Sequence, residues 1–117
     1  MQKAERALAS ARLLIDGGDA DGACNRAYYA IFDAARAALE RQGVETGKTH
    51  SGVITSFSQH LVLNGPVPKE IGRLFKQAEA RRYVADYENE PITLVDAEKM
   101  IEDAELFLST VRALLPR

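Results

Sequence analysis

The sequence is poor in the residues that announce most chemistries. A single cysteine, Cys24, excludes an intrachain disulfide and leaves no Cys-x-x-Cys pair for metal or redox work, which fits a reducing compartment and a small buried helix residue. There is no tryptophan, and the 8 glycines form neither a GxGxxG nor a GxxxxGK pattern, so no ready phosphate cradle and no nucleoside-triphosphate enzyme is indicated. Ser10, Ser51, Ser56, Ser58 and Ser109 lack a nucleophile-elbow context, which leaves a serine hydrolase without support. The two histidines, His50 and His60, are ten residues apart instead of the four that place two ligands on one helix face, so no metal and no cofactor is expected. No apolar run approaches the roughly 20 residues of a membrane span, and the N-terminal stretch has no uninterrupted apolar core with a cleavage site. The expectation is a soluble, cytoplasmic chain. Neither sign of charge dominates: 15 basic against 17 acidic residues give a net charge of -2, so any contact with RNA needs a local basic patch.

What is present is helical periodicity. Ala4, Leu8, Ala11 and Ile15, joined by Ala7 and Leu14, predict a first helix from Gln2 to Ile15, stopped by Asp16-Gly17-Gly18. Asp19 or Asp21 can cap a second helix running to about Arg41. Cys24, Ala27, Tyr28, Ile31, Ala34, Ala35, Ala38 and Leu39 form its broad apolar face, with Tyr29 and Phe32 on a flank. So wide an alanine-rich arc suggests contact on more than one side, and a dimer interface is one way to cover it. Thr49 or Ser51 can cap a third helix carrying Val53, Ile54, Phe57, His60 and Leu61, ended by Asn64-Gly65-Pro66. A fourth helix is expected from about Pro68 to Tyr87. A fifth opens at Thr93, with Asp96 in a capping-box-like position, and runs to about Leu115. No alternating strand pattern, repeat or linker is visible. One domain over residues 1–117 is expected, an all-α, up-and-down bundle of four to five helices.

The chemistry-bearing stretch is Arg81-Arg82-Tyr83-Val84-Ala85-Asp86-Tyr87-Glu88. Ile71, Leu74, Phe75, Ala78 and Ala85 make the apolar stripe of the fourth helix, and Arg82 falls inside it, an unusual place for a cation. Asp86 is within reach of either arginine. The base-before-acid order is the weaker one for a helix-surface pair, so local pairing is a poor reason for the arrangement. On the second helix Asn25, Arg26, Tyr29 and Asp33 form a polar strip that suits a cleft or an interface rim. All four tyrosines, Tyr28, Tyr29, Tyr83 and Tyr87, lie on these two helices, and beside arginines they suit base stacking on single-stranded RNA. His50, in Lys48-Thr49-His50-Ser51-Gly52 at a helix start, can touch an anion or a partner loop.

Asn25-Arg26-Ala27-Tyr28-Tyr29-Ala30-Ile31-Phe32, Thr49-His50-Ser51-Gly52-Val53-Ile54 and Arg82-Tyr83-Val84-Ala85-Asp86-Tyr87 resemble the small stand-alone HEPN proteins over nearly the whole chain. The resemblance implies a dimerising bundle of four or five helices, often encoded beside a minimal nucleotidyltransferase as a toxin and antitoxin pair. It also implies an arginine and a histidine from each subunit, separated by four to six intervening residues, that meet at the dimer interface and cut RNA without metal. Here the residue five after Arg81 is Asp86, and Arg82 matches the R-x-x-A-D-Y form. The position of the tyrosine that some partner nucleotidyltransferases modify carries Glu88, with Tyr87 adjacent.

Three functions follow. The first is an RNA-acting, toxin-like protein and candidate metal-independent endoribonuclease with Arg81, Arg82 and Asp86 as its catalytic residues. Asn25, Arg26, Tyr29, Asp33, His50, Tyr83 and Tyr87 then bind the substrate. The second is a non-catalytic module holding a nucleotide or RNA, or docking a nucleotidyltransferase. The third is a structural homodimer locked by Arg82 and Asp86 across the second and fourth helices.

Overall fold

The computed structural model describes all residues except Lys48, Glu88, Asn89, Leu115, Pro116 and Arg117, and the backbone alone of Tyr87. Two expectations therefore lie outside the described residues: the Glu88 position and the end of the last helix at Leu115. Five α-helices follow in order: α1 Gln2–Asp16, α2 Ala20–Arg41, α3 His50–Phe57, α4 Lys69–Tyr87 and α5 Leu94–Leu114. There is no strand among the described residues.

The caps explain the boundaries. Asp19 accepts from Gly22 N at 2.8 Å to start α2, and Thr49 Oγ1 accepts from Gly52 N at 3.1 Å to start α3. Thr93 and Asp96 form a reciprocal capping box at α5, with bonds of 3.1 and 3.4 Å. Gly18 (φ +83°) and Gly43 (φ +73°) take the left-handed conformation that closes α1 and α2. Asp19 N reaches back to Leu14 O and Val44 N to Leu39 O, satisfying the last carbonyls.

α2 is the axis of the bundle, touching α1, α3, α4 and α5. Its Ala23, Ala27, Ala30, Ala34, Ala35 and Ala38 are buried, and their small side chains admit neighbours on several sides at once. That corrects one inference. The alanine arc is covered within the chain, so it gives no reason for a dimer. Phe57, Phe75 and Phe107 meet with centroids 5.2 to 5.9 Å apart and tie α3, α4 and α5 into one core. With Phe32, all four phenylalanines are buried as expected.

The third helix also departs from expectation. After Phe57 it widens into a π-helical turn, Ser58–Leu63, instead of continuing as α-helix to the Asn64-Gly65-Pro66 stop. Asn64 holds the wide turn, because its backbone N and its Nδ2 both donate to Gln59 O, at 3.2 and 3.0 Å. Leu61 stays buried, while His60, expected on the apolar stripe, is exposed.

Candidate functional site

Arg82 comes from the end of α4 that the core covers least. Ile71, Phe75 and Ala78 are buried, whereas Ala80 and Tyr83 are exposed and Val84 and Ala85 half-buried. The Arg82 side chain is only 11% exposed. Its guanidinium lies 4.8 Å from the Tyr28 ring centroid, donates from Nη1 to Asp86 Oδ2 at 2.9 Å, and donates from Nη2 to Glu79 Oε1 at 3.0 Å. Burial acts to lower the Arg82 pKa, but the hydrogen bond and charge of Glu79, with Tyr28 and Tyr29, raise it above its ordinary value. The cation on the burying face is thus stabilised by two carboxylates and a π-face.

Glu79 is the hub that sequence reasoning missed. Besides Arg82 it lies 3.6 Å from His50 Nδ1, and its charge acts on the Tyr28 hydroxyl. Tyr28 Oη and His50 Nδ1 are 2.5 Å apart. A hydroxyl can donate or accept, so Tyr28 Oη and His50 Nδ1 make this bond in either tautomer of the ring. Tyr28 and Glu79 both approach the ring at Nδ1, so Nε2 is the nitrogen left for a ligand. Burial first, then the bond to Glu79, pushes the Tyr28 hydroxyl well above the ordinary phenol range, so it stays protonated.

The imidazole sits among three rings. Phe32 stacks on it at 4.6 Å, Tyr28 lies parallel at 5.5 Å, and Tyr29 meets it edge-on at 5.8 Å. A guanidinium stands over each ring in turn: Arg82 over Tyr28, Arg26 over Tyr29 and Arg36 over Phe32.

The expected residues divide into groups. Arg82, Asp86 and Asn25 line one recess of about 230 Å³ between α2 and α4, together with Cys24, Asp21 and Ala85. Burial pushes the Cys24 thiol up to about 11, so it is an inert wall. Arg26, Tyr29 and Asp33 run along α2 on the His50 side, and burial raises the Asp33 carboxyl above its ordinary range. Arg81 is separated from the cluster: it pairs with Asp96 of α5 at 3.1 Å and faces the cavity between α4 and α5. Tyr83 lines a shallow groove with Ile54, Lys76, Ala80 and Val84. Tyr87 closes α4, its side chain being outside the description. Among the described residues no three His, Cys, Asp or Glu side chains converge to hold a metal ion. Nor is any helix among the described residues long and apolar enough to cross a membrane.

The HEPN domain family model matches residues 1–114. The chain belongs to the HEPN domain family. It is 38% identical over 110 residues to a UPF0332 protein of Gloeobacter violaceus, covering 92% of this chain and 86% of that protein. A protein of Methanocaldococcus jannaschii named "Putative toxin MJ0605" is 34% identical over 112 residues, 96% of this chain and 83% of the relative. A UPF0332 protein of Thermotoga maritima is 33% identical over 119 residues, covering 97% and 86%. In this HEPN chain the residue five after Arg81 is Asp86, and the imidazole nearest the arginine comes from the start of α3.

Proposed function

We propose that this HEPN chain is a toxin-like protein that acts on RNA at the His50–Glu79–Arg82 cluster. The observation that carries the reading is Glu79: one carboxylate holds the Arg82 guanidinium and lies 3.6 Å from His50 Nδ1. A charge stabiliser and a proton carrier therefore share one mount. The toxin names of two similar proteins from Methanocaldococcus jannaschii support the same class.

The chemistry suits a phosphodiester with a neighbouring 2′-hydroxyl. His50 Nε2 takes the proton from O2′, the O2′–P bond forms and the P–O5′ bond breaks. The departing O5′ takes a proton from water, and the resulting hydroxide is neutralised by the imidazolium. The products are a 2′,3′-cyclic phosphate and a 5′-hydroxyl. Arg82 meets the charge on the non-bridging oxygens by exchanging the half-exposed Asp86 for phosphate. Glu79 and Tyr28 hold the ring so that Nε2 faces the strand.

A second reading is a binding module without cleavage, alone or docked to a nucleotidyltransferase. It is favoured by Arg82 already carrying both Glu79 and Asp86, against which a phosphate must compete. In either reading a homodimer through α4 is proposed, with Ile54, Ala80, Tyr83 and Val84 around the shallow groove as the surface to be covered.

Purified chain, with chelator, is to be incubated with a single-stranded RNA and its 2′-deoxy counterpart. Cleavage of the RNA alone, lost in Arg82→Ala and partly kept in Arg82→Lys, is the expected result. Binding without cleavage selects the module. Neither binding nor cleavage by the parent chain overturns the proposal.

A further inference from the structure

The arginines of this chain differ in what already holds them. Arg82 carries Glu79 and Asp86, Arg81 carries Asp96, Arg12 carries Glu105 and Arg112 carries Glu5. Among the described residues no carboxylate lies within ion-pair distance of Arg26 or Arg36, the two arginines on the His50 side of α2. A guanidinium without a carboxylate accepts a phosphate with no exchange. A paired one must give up a partner first, so the affinity for an anion is highest where the pairing is least.

The position of the two arginines is as telling as their charge. Arg26 stands over Tyr29 at 5.8 Å and Arg36 over Phe32 at 5.9 Å, and both rings touch the His50 imidazole. Residues 26, 29, 33 and 36 fall within an arc of about 80° on the helix, so they form one strip. Arg36 also has a buried Nε–H with no acceptor, a state in which a native donor needs an explanation. Lys3 of α1 and the N-terminal amine also act on Asp33, so four cations surround one carboxylate in a chain whose net charge is -2. By contrast, the cavity of about 580 Å³ between α4 and α5 has its cations spent on Asp96 and Asp103.

We infer that the outward strip of α2 is a track for the sugar-phosphate backbone of single-stranded RNA, with Arg26 and Arg36 as phosphate subsites on either side of His50. The inference rests on the proposed action on RNA. Ten residues of helix separate the two arginines by about 15 Å, a span that a polymer bridges and a single nucleotide does not. Tyr29, half-buried between them, offers a face on which a base can stack. Electrostatics supplies the hold and stacking the tolerance, which matches a site that reads a strand without reading its sequence.

The test is fluorescence anisotropy with a labelled single-stranded RNA of twelve nucleotides, over a series of salt concentrations. Arg26→Gln and Arg36→Gln are each expected to weaken binding about tenfold and to lower the slope of log affinity against log salt by about 0.7. Arg26→Lys should keep most of the slope. Arg12→Gln, which makes the same charge change at the α1–α5 contact, should leave it intact. Melting curves establish that each variant is folded. Parent-like affinity and slope in both glutamine variants overturn the track and leave the proposed function standing. Absence of RNA binding by the parent chain overturns both.

Discussion

Replacing Glu79 by glutamine keeps the shape of the hub and removes its charge. In the parent chain Arg82 donates to Glu79 through Nη2 at 3.0 and 3.4 Å and through Nε at 3.4 Å, from a side chain only 11% exposed. Glutamine still offers a carbonyl oxygen, and Arg82 keeps Asp86 and the Tyr28 ring. The loss is therefore the difference between charge-assisted and neutral bonds, about 1 to 2 kcal/mol, smaller than the cost of deleting either partner. For a domain of this size that corresponds to a fall in Tm of about 4 to 8 °C. A second effect is expected at the histidine. Glu79 lies 3.6 Å from His50 Nδ1, so removing its charge changes the field on that nitrogen and shifts the ring's nitrogen signals. Thermal melts give the first quantity, and nitrogen-15 correlation spectra of the histidine side chains give the second, with His60→Gln assigning the signals. A variant that melts within about 1 °C of the parent and keeps the parent's His50 signals would refute the hub.

Other consequences can be checked separately. The unfolded chain ionises Tyr28 near 10.0, while the native state keeps its proton to higher pH, so the native state binds more protons there and stability falls as pH rises above that value. Urea midpoints measured from about pH 9 to about 11 should decline more steeply for the parent than for Tyr28→Phe, and equal slopes contradict this. Phe107→Ala removes a ring shared by Phe57 and Phe75 and should destabilise the chain by about 3 to 5 kcal/mol in urea unfolding; a loss below about 1.5 kcal/mol means the ring cluster is not the core. Asp86→His places an imidazole one turn from Arg82 and should cut RNA at least as well as the parent. If the parent cuts well and this folded variant does not, Asp86 is itself the working base.

Much of the fold was legible because helical period and caps are local properties. Asp19, Thr49 and the Thr93–Asp96 box start helices as their side chains require, and Arg82 lies on the burying face where the wheel placed it. The site was only half legible. Asp86 was found because it follows Arg82 by one turn. Glu79, three residues before Arg82, is tied to His50 and Tyr28 by tertiary contacts that no spacing along α4 encodes. Arg81 illustrates the converse: adjacent to Arg82 in sequence, it points about 100° away around the helix and finds Asp96 on α5. The π-turn at Ser58–Leu63 was invisible because widening one turn hardly alters an apolar pattern read over six residues. The covering of α2 was misjudged because an alanine face does not say which helix lies on it.

The central claim is that His50 supplies the imidazole and Arg82 the cation for one reaction on RNA. The most direct measurement is end-group analysis, by mass spectrometry, of a single-stranded RNA incubated with the purified chain and chelator, beside folded His50→Ala. The account predicts fragments ending in a 2′,3′-cyclic phosphate with the parent and none above background with His50→Ala. Intact RNA with the parent, or the same fragments at the same rate from His50→Ala, would contradict it.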